Sequence, residues 1–460
     1  MDKDMQTQFG SANIPKLMFK LALPAVAAQL INVLYNFVDR IYIGHIPGVG
    51  GAALTGLGVS MSIIMIISAF AAFVGMGGAP LASIKMGEQK NEDAEKILGN
   101  GVALLVIMAA TLTVFFMIFK RPLLMAFGAS EVTLPYADAY LTIYLLGTVF
   151  VQFALGLNTF ISAQGHATTA MLSVLIGAVL NTVLDPIFIF VFGMGVQGAA
   201  LATILSQCVS AVWILNFLIR SPKSVLKIRK KNLRIDRGIL GHILALGVSP
   251  FIMQSTESLV QIVLNSGLQR YGGDDYVGAL TIIMSVMQLF IMPVQGFAQG
   301  AQPIISYNYG ARKPERVKKA FQVLLACCLT LSVVACVTSV SLPGMFASVF
   351  VNKAAQPALY ATTCKAMPIY MCGIFMFGVQ MACQTTFLAL GQSKVSIFLA
   401  LLRKIILLIP LAIIFPRFFG VMGIYCAEPV ADVISATTAG VLFLCIFKKI
   451  LRRRMEAPAS

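Results

Sequence analysis

Ser221–Gly238 reads SPKSVLKIRKKNLRIDRG, and this stretch divides the chain near its middle. It is the longest charged stretch of a 460-residue chain that is 58% hydrophobic and only 11% charged. A soluble domain carries roughly a quarter charged residues to face water. On both sides of the basic stretch, apolar runs reach the ~20 residues that cross a bilayer as a helix. We therefore predict an all-α polytopic membrane protein in two parts joined by a basic linker.

The apolar runs predict twelve transmembrane helices. Before the linker they lie at about 16–44, 52–80, 94–119, 132–163, 166–192 and 196–219. After the linker they lie at about 239–268, 276–304, 316–343, 355–388, 394–416 and 421–447. The predicted organisation is an N-lobe at 1–220, the linker at 221–238, a C-lobe at 239–447 and a tail at 448–460.

The net charge of +16 comes from basic residues that sort by side of the membrane. With these spans, 25 Lys and Arg residues fall on the side of the N-terminus and five on the opposite side. Excess basic residues mark the cytoplasmic face. Both termini and the linker are therefore predicted to be cytoplasmic in a cell-membrane protein, with anionic lipid headgroups rather than nucleic acid as partners. The polar N-terminus predicts no removable signal peptide.

The two halves repeat each other at a nearly constant offset. Gly78-Ala79-Pro80 recurs as Gly300-Ala301-Gln302-Pro303, and Asp185-Pro186 falls opposite Ile409-Pro410. Six spans per half place both halves in the same orientation. This pattern predicts two six-helix lobes related by a pseudo-two-fold axis along the membrane normal, with a central site and alternating access as in secondary transporters.

Ionisable residues inside a membrane are costly and tend to mark function. Asp39 and Asp185 are predicted in the outer halves of their helices at similar depth, and Thr203 reaches the same level. Asn181 lies one turn before Asp185, and Tyr35 lies one turn before Asp39, so each pair shares a helix face. The two acids are candidates for a cation or proton site. The alternative, in which they only hold helices together, stays open.

Other intramembrane acids have weaker claims to function. Asp138 lies near a predicted helix start, where a structural pairing is expected. In the second half Ile409 replaces the acid while its proline is kept, so the N-lobe is expected to hold the coupling site. Glu428 falls opposite Thr203, and Asp432 lies one turn further. They are either a second polar site or structural.

Three stretches together resemble the multidrug and toxic compound extrusion (MATE) family, and the Gram-positive multidrug branch is the nearest likeness. They are VLYNFVDRIYIGH at 33–45, NTVLDPIFIF at 181–190 and GVQGAALATILSQ at 195–207. The resemblance implies an N-lobe cation-coupling site. Its implied residues are Asp39, Asn181, Asp185 and Thr203, with Tyr35 and Asn158 in support.

The resemblance also implies export of cationic amphipathic drugs, with Asp39, Asp185 and Glu257 in contact with substrate. The coupling ion is a proton, which we favour, or sodium held at Asp39, Asn181 and Asp185. No other cofactor is implied, and a monomer is expected. Some members carry a further acid in the tenth span, but 365–388 contains none here. That absence leaves Glu257 without a companion there.

Competing functions fit the sequence less well. There is no phosphate-binding GxxxxGK[ST] motif for an ATP-driven pump, and no filter motif for a channel. The three histidines fall at span ends without a nucleophile partner, so an enzyme is not predicted. The rival is a lipid-linked oligosaccharide flippase of the same superfamily, because Arg403 and Lys404 lie in the middle of the eleventh span.

Overall fold

The computed structural model describes residues 3–354 and 356–456, and all regular secondary structure among them is helical. Helices satisfy every backbone hydrogen-bonding group within one segment, which lipid requires. In the described part of the chain, ten helices are long and apolar enough to cross a membrane, and two bent helix pairs bring the number to twelve. The prediction of an all-α membrane protein with twelve spans is confirmed.

Among the residues that the structure describes, the first half has nine α-helices, a π-helical turn and a 3-10 turn. The α-helices are α1 (Lys3–Ser11), α2 (Ile14–Gly44), α3 (Gly50–Gly87), α4 (Asn91–Ala126), α5 (Leu134–Leu146), α6 (Thr148–Gly156), α7 (Asn158–Ala163), α8 (Ala167–Pro186) and α9 (Val196–Arg220). The π-helical turn is Ile187–Val191, and the 3-10 turn is Lys230–Leu233.

The second half follows the same plan. Its α-helices are α10 (Arg237–Tyr271), α11 (Asp274–Gly310), α12 (Pro314–Ser341), α13 (Pro343–Phe350), α14 (Pro357–Met371), α15 (Ile374–Ala389), α16 (Ser393–Leu401), α17 (Ile409–Ile414), α18 (Pro416–Phe419) and α19 (Val421–Glu456). A π-helical turn, Leu402–Leu408, joins α16 to α17. The predicted tail from 448 continues α19 as far as Glu456, and 457–460 lie outside the described residues.

The helices form two compact units whose boundaries differ from a simple cut at the linker. Unit 1 is Met1–Ser11 with Ala27–Gln254, and unit 2 is Ala12–Val26 with Ser255–Ser460. The start of α2 therefore belongs to unit 2, and the start of α10 belongs to unit 1.

Close backbone contacts explain this membership. In unit 1, a Cβ at Gly247 of α10 would lie 2.0 Å from the backbone oxygen of Phe73 in α3. In unit 2, a Cβ at Gly300 of α11 would lie 2.6 Å from the backbone nitrogen of Ala22 in α2. Lipid offers no hydrophobic driving force between helices, so membrane helices associate through close packing. Small residues at the interface permit that close approach. In each unit, a close contact at a glycine therefore packs the first part of a helix, α10 in unit 1 and α2 in unit 2, against its neighbour.

The basic linker is held within unit 1 by polar contacts. The side-chain oxygen Oε1 of Gln164 accepts hydrogen bonds from the backbone N–H groups of Val225 at 2.8 Å and Leu226 at 3.0 Å. Arg229 forms an ion pair of 2.8 Å with Glu95 of α4. The linker is therefore an ordered strap whose basic side chains are largely left at the surface.

Candidate cation-binding site

Four polar side chains that were predicted from the sequence to form a cation-coupling site are buried in unit 1. Asp39 comes from α2, Asn181 and Asp185 from α8, and Thr203 from α9. Their exposed fractions are between 0% and 4%. The buried face of α8 repeats every fourth residue through Ser173, Gly177, Asn181 and Asp185. That spacing places these side chains in line along one side of the helix.

Hydrogen bonds join these side chains. The amide Nδ2 of Asn181 donates to Asp185 Oδ1 at 3.1 Å and to Thr203 Oγ1 at 3.4 Å. The carboxyl groups of Asp39 and Asp185 approach each other as hydrogen-bond partners. Because an ionised carboxylate only accepts, such a contact needs a proton on one of the two acids. The structure thus brings Asp39, Asn181, Asp185 and Thr203 into one cluster, called here the acid-pair site.

Several oxygen atoms of the acid-pair site have no hydrogen-bond donor. They are Oδ1 of Asp39, Oδ2 of Asp185 and Oδ1 of Asn181, and all are buried. None of the ion pairs among the described residues includes either acid. Buried polar atoms in native proteins nearly always have a partner. Oxygens of this kind suit a proton or a small hard cation.

The remaining predicted residues lie at different places. Tyr35 lines a small pocket, partly open to the surface, whose walls also include Asn181 and Thr203. Asn158 instead donates from Nδ2 to the backbone carbonyl of Ala170 at 3.3 Å. Ala170 precedes Asn181 by three turns of α8, roughly 16 Å along the axis. Asn158 is therefore not brought to the acid-pair site.

A tyrosine that the sequence reasoning missed completes the surroundings. Tyr140 of α5 is buried in unit 1, and its hydroxyl is a side-chain hydrogen-bond partner of Thr203. Its ring stacks on Tyr144 at a centroid distance of 6.3 Å. The i, i+4 spacing of Tyr136, Tyr140 and Tyr144 was the available signal, because it places three hydroxyls on one helix face.

The backbone beside the acids departs from a regular helix. Pro186 has no N–H group, so the ladder loses one donor directly after Asp185. The π-helical turn Ile187–Val191 follows at once. Turns of this type inside helices frequently occur at functional sites. The backbone directly after Asp185 is therefore loosened relative to a regular α-helix.

A second buried charged cluster lies in unit 2. Arg403, in the π-helical turn, donates from Nη2 to Glu428 Oε1 at 2.9 Å and from Nε to Asp432 Oδ1 at 2.7 Å. The neighbouring Lys404 pairs with Glu257 of α10. Three carboxylates thus face two basic groups. Both basic residues, on which the flippase alternative depended, are thus paired with acids inside unit 2, and that alternative is not favoured.

Comparison with known proteins agrees with this architecture. The MatE family model matches residues 24–187 and 250–414, one segment in each half. This chain belongs to the MatE family. A membrane transporter rather than an enzyme was predicted, and that prediction is confirmed.

Relatives and solved structures resemble the chain over nearly its whole length. It is 23% identical to the multidrug export protein MepA of Staphylococcus haemolyticus, over 94% of this chain and 93% of the relative. It is 24% identical to MepA of Staphylococcus saprophyticus, over 94% of each chain. A MATE transporter in complex with MaL6 aligns with a TM-score of 0.89 at 24% identity, over 97% of this chain and 99% of that chain. An outward-facing multidrug resistance MATE transporter aligns with the same TM-score at 24% identity, over 96% and 98% of the two chains.

Proposed function

We propose that this chain exports organic cations across the cell membrane in exchange for protons, and that the acid-pair site holds the exchanged proton. The observation that carries the proposal is a pair of buried carboxyl groups, Asp39 and Asp185, in mutual contact and outside every ion pair of the described residues. Export by alternating access between the two sides of the membrane follows from the expected repeat of helices.

The chemistry of the pair supports exchange. Two carboxylates removed from water repel each other, and a proton or a cation relieves the repulsion. With a proton bound, the site has little attraction for a cationic drug. When the proton leaves, the restored negative charge attracts the drug. By linkage, a drug that lowers proton affinity must itself be bound less tightly when the proton is present.

Substrate class and orientation rest on further observations. The relatives are named multidrug export proteins, which supports an amphipathic drug as cargo. The distribution of basic residues supports cytoplasmic termini in a cell membrane. The 23 methionines of the chain would offer adaptable, polarisable contacts to varied apolar bodies. We propose a monomer as the working unit.

The test is uptake of a cationic dye into inverted membrane vesicles driven by a pH gradient. Asp39→Asn and Asp185→Asn keep the size and polarity of each side chain but cannot exchange a proton, so we expect each to abolish uptake. Asp138→Asn is the matched control. Asp138 also lies in a membrane helix, but it is paired with Lys120 at 2.8 Å and belongs to a different cluster. Wild-type uptake by either site variant would refute the assignment of that residue.

The nature of the ion requires a separate measurement. Addition of a cationic drug to purified protein in weakly buffered detergent should release protons from wild type and none from Asp185→Asn. If wild type releases no proton and sodium displaces the drug at constant pH, sodium is the coupling ion and the proton mechanism is wrong.

A further inference from the structure

The second charged cluster has an unequal division of exposure. The side chain of Lys404 is 8% exposed, whereas that of its partner Glu257 is 42% exposed. The neighbouring pair is different, because Arg403 is 11% exposed and its partners Glu428 and Asp432 are 6% and 4% exposed. One ion pair is therefore sealed on both sides, and the other presents its carboxylate to an incoming group.

The charges of the cluster leave room for one additional cation. Glu257, Glu428 and Asp432 supply three negative charges, and Arg403 with Lys404 supplies two positive charges. Lys404 also lies within electrostatic reach of Glu428 and Asp432. Because two carboxylates share one guanidinium there, a second carboxylate is available to the ammonium if it leaves Glu257. A flexible four-carbon stem makes such a move feasible for lysine.

We propose that Lys404 is a tethered counterion that occupies a substrate subsite at Glu257 and that a monovalent organic cation replaces it there. On replacement, the Lys404 ammonium moves to the carboxylates of Glu428 and Asp432, and the cluster becomes neutral. The proposal rests on the proposed function for its substrate class. It assigns Lys404 as a specificity-determining residue, because it sets the threshold that a cation must exceed to bind.

Local geometry makes the two basic residues unequal in role. Both lie in the π-helical turn Leu402–Leu408, and both are buried. Arg403 packs over the ring of Phe377 at 5.2 Å and uses two nitrogens on two acids, so its fork is fixed. Lys404 makes a point-charge contact with a half-exposed acid. Because the Glu257 side of this pair is 42% exposed, separating it leaves less buried charge without a partner than breaking the pairs of Arg403 would.

The experiment measures binding of tetraphenylphosphonium to purified protein in detergent, without any gradient. Lys404→Met removes the internal competitor and should tighten binding by about fivefold, the ratio that matches the upper range for an exposed ion pair. Lys404→Arg keeps the charge and should bind like wild type. Glu257→Gln should weaken binding, and Lys404→Met should then add no affinity in the Glu257→Gln background.

Controls separate charge from packing. Neutral triphenylphosphine oxide has a similar aromatic body, and its binding should be the same in wild type and Lys404→Met. Lys404→Gln serves as a second neutral variant if the methionine variant fails to fold. Neutral variants of Lys404 should be tolerated because the Glu257 side chain is 42% exposed and is not left buried without a counterion.

The outcomes are distinct from those of the proposed function. If Lys404→Met weakens binding, leaves it unchanged, or still tightens it in the Glu257→Gln background, the tethered-counterion proposal is wrong, whatever happens at Asp39 and Asp185. If tetraphenylphosphonium binding by wild type, the two single variants and the double variant follows the expected pattern but wild type transports nothing, the proposed export function is wrong and the proposed subsite is supported. If wild type does not bind tetraphenylphosphonium, both are overturned.

Discussion

Replacement of Arg403 should destabilise the protein strongly. Arg403→Met removes the one guanidinium that joins Glu428 and Asp432, whose side chains are 6% and 4% exposed. Removing one partner of a buried ion pair costs about 3–5 kcal/mol. We expect the lower end, about 3 kcal/mol, because Lys404 lies within electrostatic reach of Glu428 and Asp432 and can compensate one of the two acids. The contact of Arg403 with the Phe377 ring contributes about 1 kcal/mol more. We expect a loss of about 4 kcal/mol, which is roughly a 1000-fold change in the unfolding equilibrium.

The measurement is equilibrium unfolding in mixed detergent micelles, followed by helical circular dichroism. Arg121→Met is the matched control, because Arg121 pairs with Asp138 at 3.3 Å but is 73% exposed, and exposed pairs contribute at most about 1 kcal/mol. Adding Glu428→Gln and Asp432→Asn to Arg403→Met should recover most of the loss, since no buried charge then remains unpaired. If Arg403→Met unfolds within about 1 kcal/mol of Arg121→Met, the account of the sealed ion pair is wrong.

Three further predictions concern topology, packing and the strap. In a cysteine-free background, Lys230→Cys should react with an impermeant thiol reagent only from the cytoplasmic side and Lys353→Cys only from outside; the reverse pattern would invert the topology. Gly247→Ala should cost about 1–3 kcal/mol of unfolding free energy through overpacking against α3. Gly241→Ala is the control and should be tolerated, because nothing lies within 4 Å of its added Cβ. Equal stabilities of the two variants would contradict the close helix contact. Gln164→Ala removes the acceptor for two strap N–H groups, so we expect faster proteolysis within 221–238 in detergent, and an unchanged cleavage rate would show that the strap is held by other contacts.

Much of the fold could be predicted from the sequence because the hydropathy of about 20 consecutive residues is enough to identify a membrane-spanning helix. Every predicted span has its helix or bent helix pair, and the face shared by Asn181 and Asp185 follows from helical period alone. Thr203 could be added because its depth was readable from the span boundaries. These inferences needed only distances along the chain.

The features that were not predicted depend on contacts distant in sequence. The tenth span bends by 43° after Met371, where a Cβ at Gly373 would lie 2.4 Å from Pro429 Cα. No local sequence pattern identifies Pro429 as the residue that packs against Gly373. The same holds for Arg403, because its partners Asp432 and Glu428 lie 29 and 25 residues further along the chain. Asn158 was assigned to the site by resemblance alone, and its side-chain hydrogen bond goes to the backbone of Ala170 instead.

The start of α2 has a consequence for biosynthesis. Ala12–Val26 are synthesised long before the rest of unit 2, yet they belong to that unit and pack on Gly296 and Gly300. Those glycines are synthesised some 270 residues later, so this segment must wait in the membrane while most of unit 1 is made. A gene cut at the linker would give a second product that lacks one of its own packing elements. The two halves should therefore mature only when produced together.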